Sequence, residues 1–166
     1  MRILVLGIGQ SMRGDDSVGL EVVKLWQAQH PDTAARVQVE FSELPGLTLL
    51  DLLDGMDAAI LVDAIKSPTT IGTVIRLGMD ELSSFSSEAG SAHGWGVAET
   101  LQLGRSLFPS VAKCQTTLVG ITGGQFGIGA GLSPQVCAGL KEAADMIETE
   151  IQNHLNKKLR SSSVSF

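Results

Sequence analysis

The chain has 166 residues, of which 43% are hydrophobic and 18% charged, enough apolar material to offset chain entropy and exclude disorder over most of its length. Twelve Lys and Arg against eighteen Asp and Glu give a net charge of −6. Three of those cations, Lys157, Lys158 and Arg160, fall in the last eleven positions, leaving −9 over residues 1–155. That balance argues against a DNA or RNA backbone as partner, and aromatics at 4% with no tyrosine leave little to stack single-stranded bases.

Residues 2–8 (RILVLGI) are a short, non-alternating apolar run, which predicts a strand buried on both faces, as in parallel sheets. The run is too short for a signal peptide or a membrane span. Residues 17–29 carry Val18, Val22, Leu25 and Trp26 at helical spacing. Residues 36–41 (RVQVEF) alternate as an edge strand does, and 46–53 read as a helix. A second buried strand is expected over 58–63 (AAILVD), a weaker edge strand over 72–77 (GTVIRL), and a third buried strand over 116–122 (TTLVGIT). Between the last two, Val97, Leu101, Leu103 and Leu107 mark a helix over 97–107, while 81–96 lacks periodicity. Ser133 at the cap and Pro134 at the first position start a final helix to 155.

Strands alternating with helices predict an α/β fold. The expected form is a three-layer α/β/α sandwich, with a mostly parallel twisted sheet of about five strands and helices on both faces. The expected organisation is one domain over 1–155 and a mobile, basic, serine-rich tail over 156–166. Cys114 and Cys137 have no CxxC spacing and cannot form a disulfide framework, which fits a reducing compartment, the cytoplasm.

In an open α/β sheet the ligand crevice lies beyond the carboxyl ends of the strands. That rule selects the loop at 7–16 (GIGQSMRGDD), the loop opening on Asp63 and Lys66, and the irregular stretch holding His93. Gly7-x-Gly9 after a strand, with Glu40 on the next, invites a dinucleotide-binding reading. The third glycine is Met12, however, and Asp15 and Asp16 stand at the helix start where a pyrophosphate would sit. One acid suffices to cap that helix, so the other is a candidate ligand or base. Asp63, at the mouth of a buried strand, either forms an Asx turn or a salt bridge to Lys66, or serves a site that offsets its desolvation. His93 is a surface residue or a ligand, whereas His30 and His154 each end a helical pattern, where the dipole favours imidazolium. Two carboxylates and one imidazole from three loops can converge on one divalent ion, Ni, Zn, Mn or Fe, leaving positions open for substrate or water.

Residues 1–23 (MRILVLGIGQSMRGDDSVGLEVV), 60–65 (ILVDAI), 91–103 (SAHGWGVAETLQL) and TLVGITGG followed by GLSPQV together resemble the hydrogenase maturation proteases, in order, from Met1 to about His154. The resemblance implies an endopeptidase that removes a short C-terminal extension from a nickel-iron hydrogenase large-subunit precursor after nickel insertion. It places the family's metal-contacting positions on Asp16, Asp63 and His93, the first often glutamate in the family. Nickel would arrive with the precursor, another divalent metal being possible. Two departures stand out: Gly9-Gln10 replaces the family's glycine-asparagine, and Phe41-Ser42-Glu43-Leu44-Pro45-Gly46 replaces an Asp-Gly-Gly pattern, with Glu40 and Glu43 as speculative substitutes. Asp15 is a candidate base or supporting partner. No GxSxG elbow is present, and both cysteines fall where apolar packing is the default. The alternative of a different class is a metal-sensing maturation chaperone that binds the loaded precursor without cutting it.

Overall fold

The structure is a computed structural model and describes residues 1–43, 45–85 and 96–162. Strand β1 (Ile3–Ile8) leads through a 3-10 turn (Gly14–Ser17) into α1 (Val18–Gln29) and a short α2 (Pro31–Ala34). Then come β2 (Gln38–Ser42), α3 (Thr48–Leu53), β3 (Ala58–Ile65), β4 (Val74–Gly78) and α4 (Met79–Phe85). The chain continues as α5 (Val97–Leu107), α6 (Pro109–Lys113), β5 (Gln115–Thr122) and α7 (Pro134–Ser162).

The five strands form one sheet in the order β2-β1-β3-β5-β4, parallel except for β4, which runs antiparallel to β5. The connection from β3 to β4 spans only 66–73, too short for the crossover that a parallel neighbour requires, so β4 returns in the opposite direction. β1 and β3 are buried on both faces over their apolar runs, as continuous hydrophobic strands must be. One face packs Ile3, Val5, Ile60 and Val62 against Val22 and Trp26 of α1 and Ile147 and Ile151 of α7. The other packs Leu4, Leu6, Leu61 and Leu118 against Leu49 and Leu53 of α3, Leu82 of α4 and Leu101 of α5. This is the expected α/β/α layering.

Three expectations need correction. Helix α7 continues to Ser162, so the tail expected from 156 is helical as far as 162; residues 163–166 lie outside the described residues. His154 therefore sits inside α7 rather than at its end, and burial lowers its pKa despite the opposing charge of Glu150. Leu107 is exposed rather than part of the buried stripe of α5. His30 does end α1, with Nδ1 3.7 Å from Glu148 Oε2.

The crossover from β1 to β2 moves outward on one side of β1, while the crossover from β2 to β3 returns to its other side. The cleft between the carboxyl ends of β1 and β3 is thus a topological switch point. Gly19 lets α1 settle into it: a Cβ there would come within 2.2 Å of both Ile8 O and Val62 O. Gly9, at φ +146°, turns the chain away from β1 where a Cβ would meet Asp16 O.

Candidate functional site

The close approach at Gly9 and Gly19 delivers Asp15 and Asp16 to the switch point on consecutive residues of the 3-10 turn, so their side chains diverge. Both are buried, at 0% and 2% exposure. Asp15 turns toward the segment that links β5 to α7. Its Oδ2 accepts the N–H groups of Gly124 and Gln125, both at 2.9 Å, and the Ser133 hydroxyl at 3.0 Å. Its Oδ1 accepts the Ser133 N–H at 2.7 Å. Burial pushes the Asp15 pKa upward, but these donors outweigh it and the net direction is down.

Asp16 turns the other way. Its Oδ2 accepts the Gln10 N–H at 3.0 Å, so a backbone donor in the loop after β1 is taken by a carboxylate. A buried carboxylate on that amide disfavours a pyrophosphate at the Gly7-x-Gly9 turn. Asp63 lies within β3, two residues before its end, on the face shared with α3, α4 and α5, and is half-buried. Burial drives its pKa well above the usual carboxyl range, the charge of Asp16 adds to this, and the Ala64 N–H offsets part of it. Two carboxyl groups, one from the 3-10 turn and one from β3, therefore share one desolvated place and repel.

Lys66 does not neutralise Asp63. Its Nζ sits 5.3 Å from the centroid of the Phe126 ring, a cation–π contact. His93 and the residues before Gly96 in that stretch lie outside the described residues. Among the described residues, no group of three or more His, Cys, Asp or Glu side chains is placed to hold a metal ion. The carboxyl pair still fits one: hard oxygen donors that repel each other are relieved by a divalent cation. Cys114 offers no nucleophile, since it is buried beside Thr116 at the far end of β5 and burial pushes its thiol up.

Glu40 and Glu43 behave differently from one another. Glu40 accepts from the Gln38 side-chain amide on β2, whereas Glu43 accepts the Ser11 hydroxyl at 2.8 Å and so joins the loop after β2 to the loop after β1. The anchoring of 124–133 by Asp15 is what sequence reasoning missed. Ser133 carried a helix-cap signal only. Its hydroxyl does accept the Val136 N–H at 3.4 Å, but it also donates to a residue 118 positions away. The same end of the sheet carries exposed apolar side chains: Met12 (65%), Leu47 (61%) and Ile128 (82%). The Gly129 N–H donates to Met12 O at 2.8 Å, which places Met12 and Ile128 on adjoining loops.

The family model for the HycI hydrogenase maturation proteases matches residues 44–150. The Hydrogenase 2 maturation protease of Escherichia coli (strain K12) is 29% identical over 150 residues, covering 89% of this chain and 88% of that protein. The solved structure of the hydrogenase maturating endopeptidase HybD from E. coli superposes with a TM-score of 0.76 at 26% identity, over 93% of this chain and 94% of that one. The [NiFe] hydrogenase maturation protease HybD from Thermococcus kodakarensis shares the fold, with a TM-score of 0.76 at 24% identity over 91% and 99% of the two chains. The matched span takes in Asp63 of the carboxyl pair and the whole segment that Asp15 holds, and on that basis the chain belongs to the hydrogenase maturation protease family and is a peptidase.

Proposed function

We propose that the protein is the endopeptidase that removes the C-terminal extension of a nickel-iron hydrogenase large-subunit precursor after nickel insertion. In this reading Asp16, Asp63 and His93 contact the nickel carried by that precursor. The observation that carries it is the Asp16–Asp63 pair at the switch point, where burial and like charge hold Asp63 toward its protonated form. A cation arriving with the substrate relieves that repulsion, so the pair favours the loaded precursor over the unloaded one. Held by these residues, the ion would supply Lewis acidity to the cleavage.

The chain's own residues supply the rest. Asp16 and Asp63 bind and orient. Asp15, with no exposed surface and four donors on its carboxylate, is the support that fixes 124–133 against the 3-10 turn and not the base. Met12 and Ile128 give an extended polypeptide an apolar rim to lie against. No described helix is long and apolar enough to cross a membrane.

The test is to incubate the full chain with nickel-loaded and with nickel-free precursor and to weigh the products. A mass loss at the precursor's C-terminus confined to the loaded form supports the reading. Cleavage of both forms removes the nickel check. Binding of the loaded form with no mass change overturns the peptidase role in favour of a chaperone.

A further inference from the structure

A cavity of about 650 Å³ opens at the end of the sheet opposite the carboxyl pair. Gln115, Thr116 and Thr117 at the start of β5 and Gly78 at the end of β4 form its floor. Asp63 is in register with Gly120, so the cavity floor begins three residues further down β5, roughly 10 Å along the strand. Its volume lies within the 300–1,000 Å³ typical of small-ligand sites.

The charges on its walls run against those of the chain. The protein has a net charge of −6, yet Arg76, Arg105, Lys113 and Lys157 all line this one space, opposed by Asp80 and Glu150 alone among the described lining residues. Arg76 and Glu150 satisfy each other through a two-point contact, Nε to Oε1 at 2.6 Å and the second guanidinium nitrogen to Oε2 at 3.0 Å. What remains is three cations, from α5, α6 and α7, against one exposed aspartate. Like charges converge on one cavity at an electrostatic cost that a bound anion offsets.

A second, independent feature points the same way. His154 is 5% exposed and lines the cavity, and its Nδ1 is buried with no hydrogen-bond partner. A buried nitrogen with no partner is unfavourable, and a ligand that supplies the missing partner relieves it. Burial lowers the imidazole pKa and favours the neutral form, in which Nδ1 is a single donor or a single acceptor.

We propose that this cavity is a binding site for a compact multivalent oxyanion, held by Arg105, Lys113 and Lys157 with His154 at its base. The described lining holds no Phe, Tyr or Trp and is dominated by cations and hydroxyls, so the ligand class that fits is a small polar anion bearing carboxylate or phosphoryl groups. The proposal stands apart from the peptidase reading, since none of these residues belongs to the carboxyl pair or its supports.

The experiment is a calorimetric and NMR titration of the full chain with inorganic pyrophosphate and with citrate at constant ionic strength, sodium chloride serving as the control. Saturable one-site binding of either probe is expected, together with a shift of the His154 Nδ1 resonance. The Arg105→Ala/Lys157→Ala double variant, both positions being exposed, should weaken that binding at least tenfold with an unchanged melting temperature. Binding of citrate alone or pyrophosphate alone assigns the site to carboxylates or phosphoryl groups. Absence of saturable binding overturns the proposal, as does undiminished binding in the double variant or a His154 resonance that does not move.

Discussion

Asp15 and Ser133, separated by 118 positions in the chain, are joined twice: Ser133 N–H donates to Oδ1 at 2.7 Å and its hydroxyl to Oδ2 at 3.0 Å. The start of α7 is thereby tied to the same 3-10 turn that carries Asp16. A charged acceptor serving buried donors is worth more than a neutral one, about 1.5–3 kcal/mol for each bond before context. Asp15→Ala should therefore cost roughly 2–4 kcal/mol and lower the melting temperature by about 5–15 °C. Hydrogen exchange at the Gly124 and Gln125 amides should accelerate with it. Unchanged exchange at those two amides would show that the clamp holds nothing.

Asp63→Asn and His93→Ala are each expected to abolish precursor processing. The asparagine variant should also be the more stable protein at pH 7–8. The Asp63 pKa is raised in the folded state, so its contribution is full below the unfolded value near 3.8 and is lost as pH rises through the folded value. Asparagine keeps the shape and never ionises, so it avoids that loss, an exchange of stability for function common at active sites. Parallel melting curves from pH 4 to 8 check this. A variant that follows the wild type at every pH would count against a raised Asp63 pKa, from burial and from Asp16 alike.

Acid should loosen the sheet edge and the α1–α7 packing before the core. Burial pushes both Glu148 and Glu150 upward, yet their hydrogen bonds prevail and both end below 4.5, Glu148 through Gln152, Trp26 and Thr33 and Glu150 through Arg76. Depressed carboxyls add stability that is present above their unfolded pKa near 4.5 and lost as pH falls through the folded value. Glu150→Gln should flatten the fall in melting temperature below pH 4.5 and cost about 1–3 kcal/mol at pH 7. An unaltered acid limb would assign that limb to other groups.

The apolar rim is testable separately from the chemistry. Met12→Ser and Ile128→Ser remove exposed side chains, so melting temperatures should stay within about 2 °C of wild type. The apparent KM for loaded precursor should rise several-fold in the double variant with kcat little changed. A fall in kcat at constant KM would move these residues from docking to positioning.

Gly19→Ala probes the approach of α1 to the switch point. A methyl group 2.2 Å from two backbone carbonyls forces the helix outward, a change expected to cost about 3 kcal/mol or more. Thermal melts and yields of folded protein measure it. Wild-type stability would mean that α1 can dock without the close approach.

Much of this fold was legible in the residue order. Non-alternating apolar runs marked β1, β3 and β5 because strands covered on both faces carry apolar residues on both. Alternation placed β2 and β4 toward the edges, and helical spacing found α1, α3, α5 and the start of α7. The short α2 and α6 gave too few turns for a period to show, and α4 ran into the stretch from 81 that lacks periodicity. The continuation of α7 past 155 was hidden by basic residues and serines, which read as a tail but also suit a solvent-facing helix end.

Of the site, the sequence by itself determined which residues stand at strand ends: Asp15, Asp16 and Asp63 follow from runs and breaks that need no tertiary contact. It could not divide the work between Asp15 and Asp16, because consecutive residues have one local environment in a string and two in space. Folding decided that, by bringing Ser133 to one carboxylate and Gln10 and the charge of Asp63 to the other. The cations around His154 were likewise invisible along the chain, since they lie on three helices that meet only when the sheet has assembled. Periodicity reports the face a segment buries; long-range hydrogen bonds and converging charges depend on segment order in the sheet, and only the tertiary structure supplies that order.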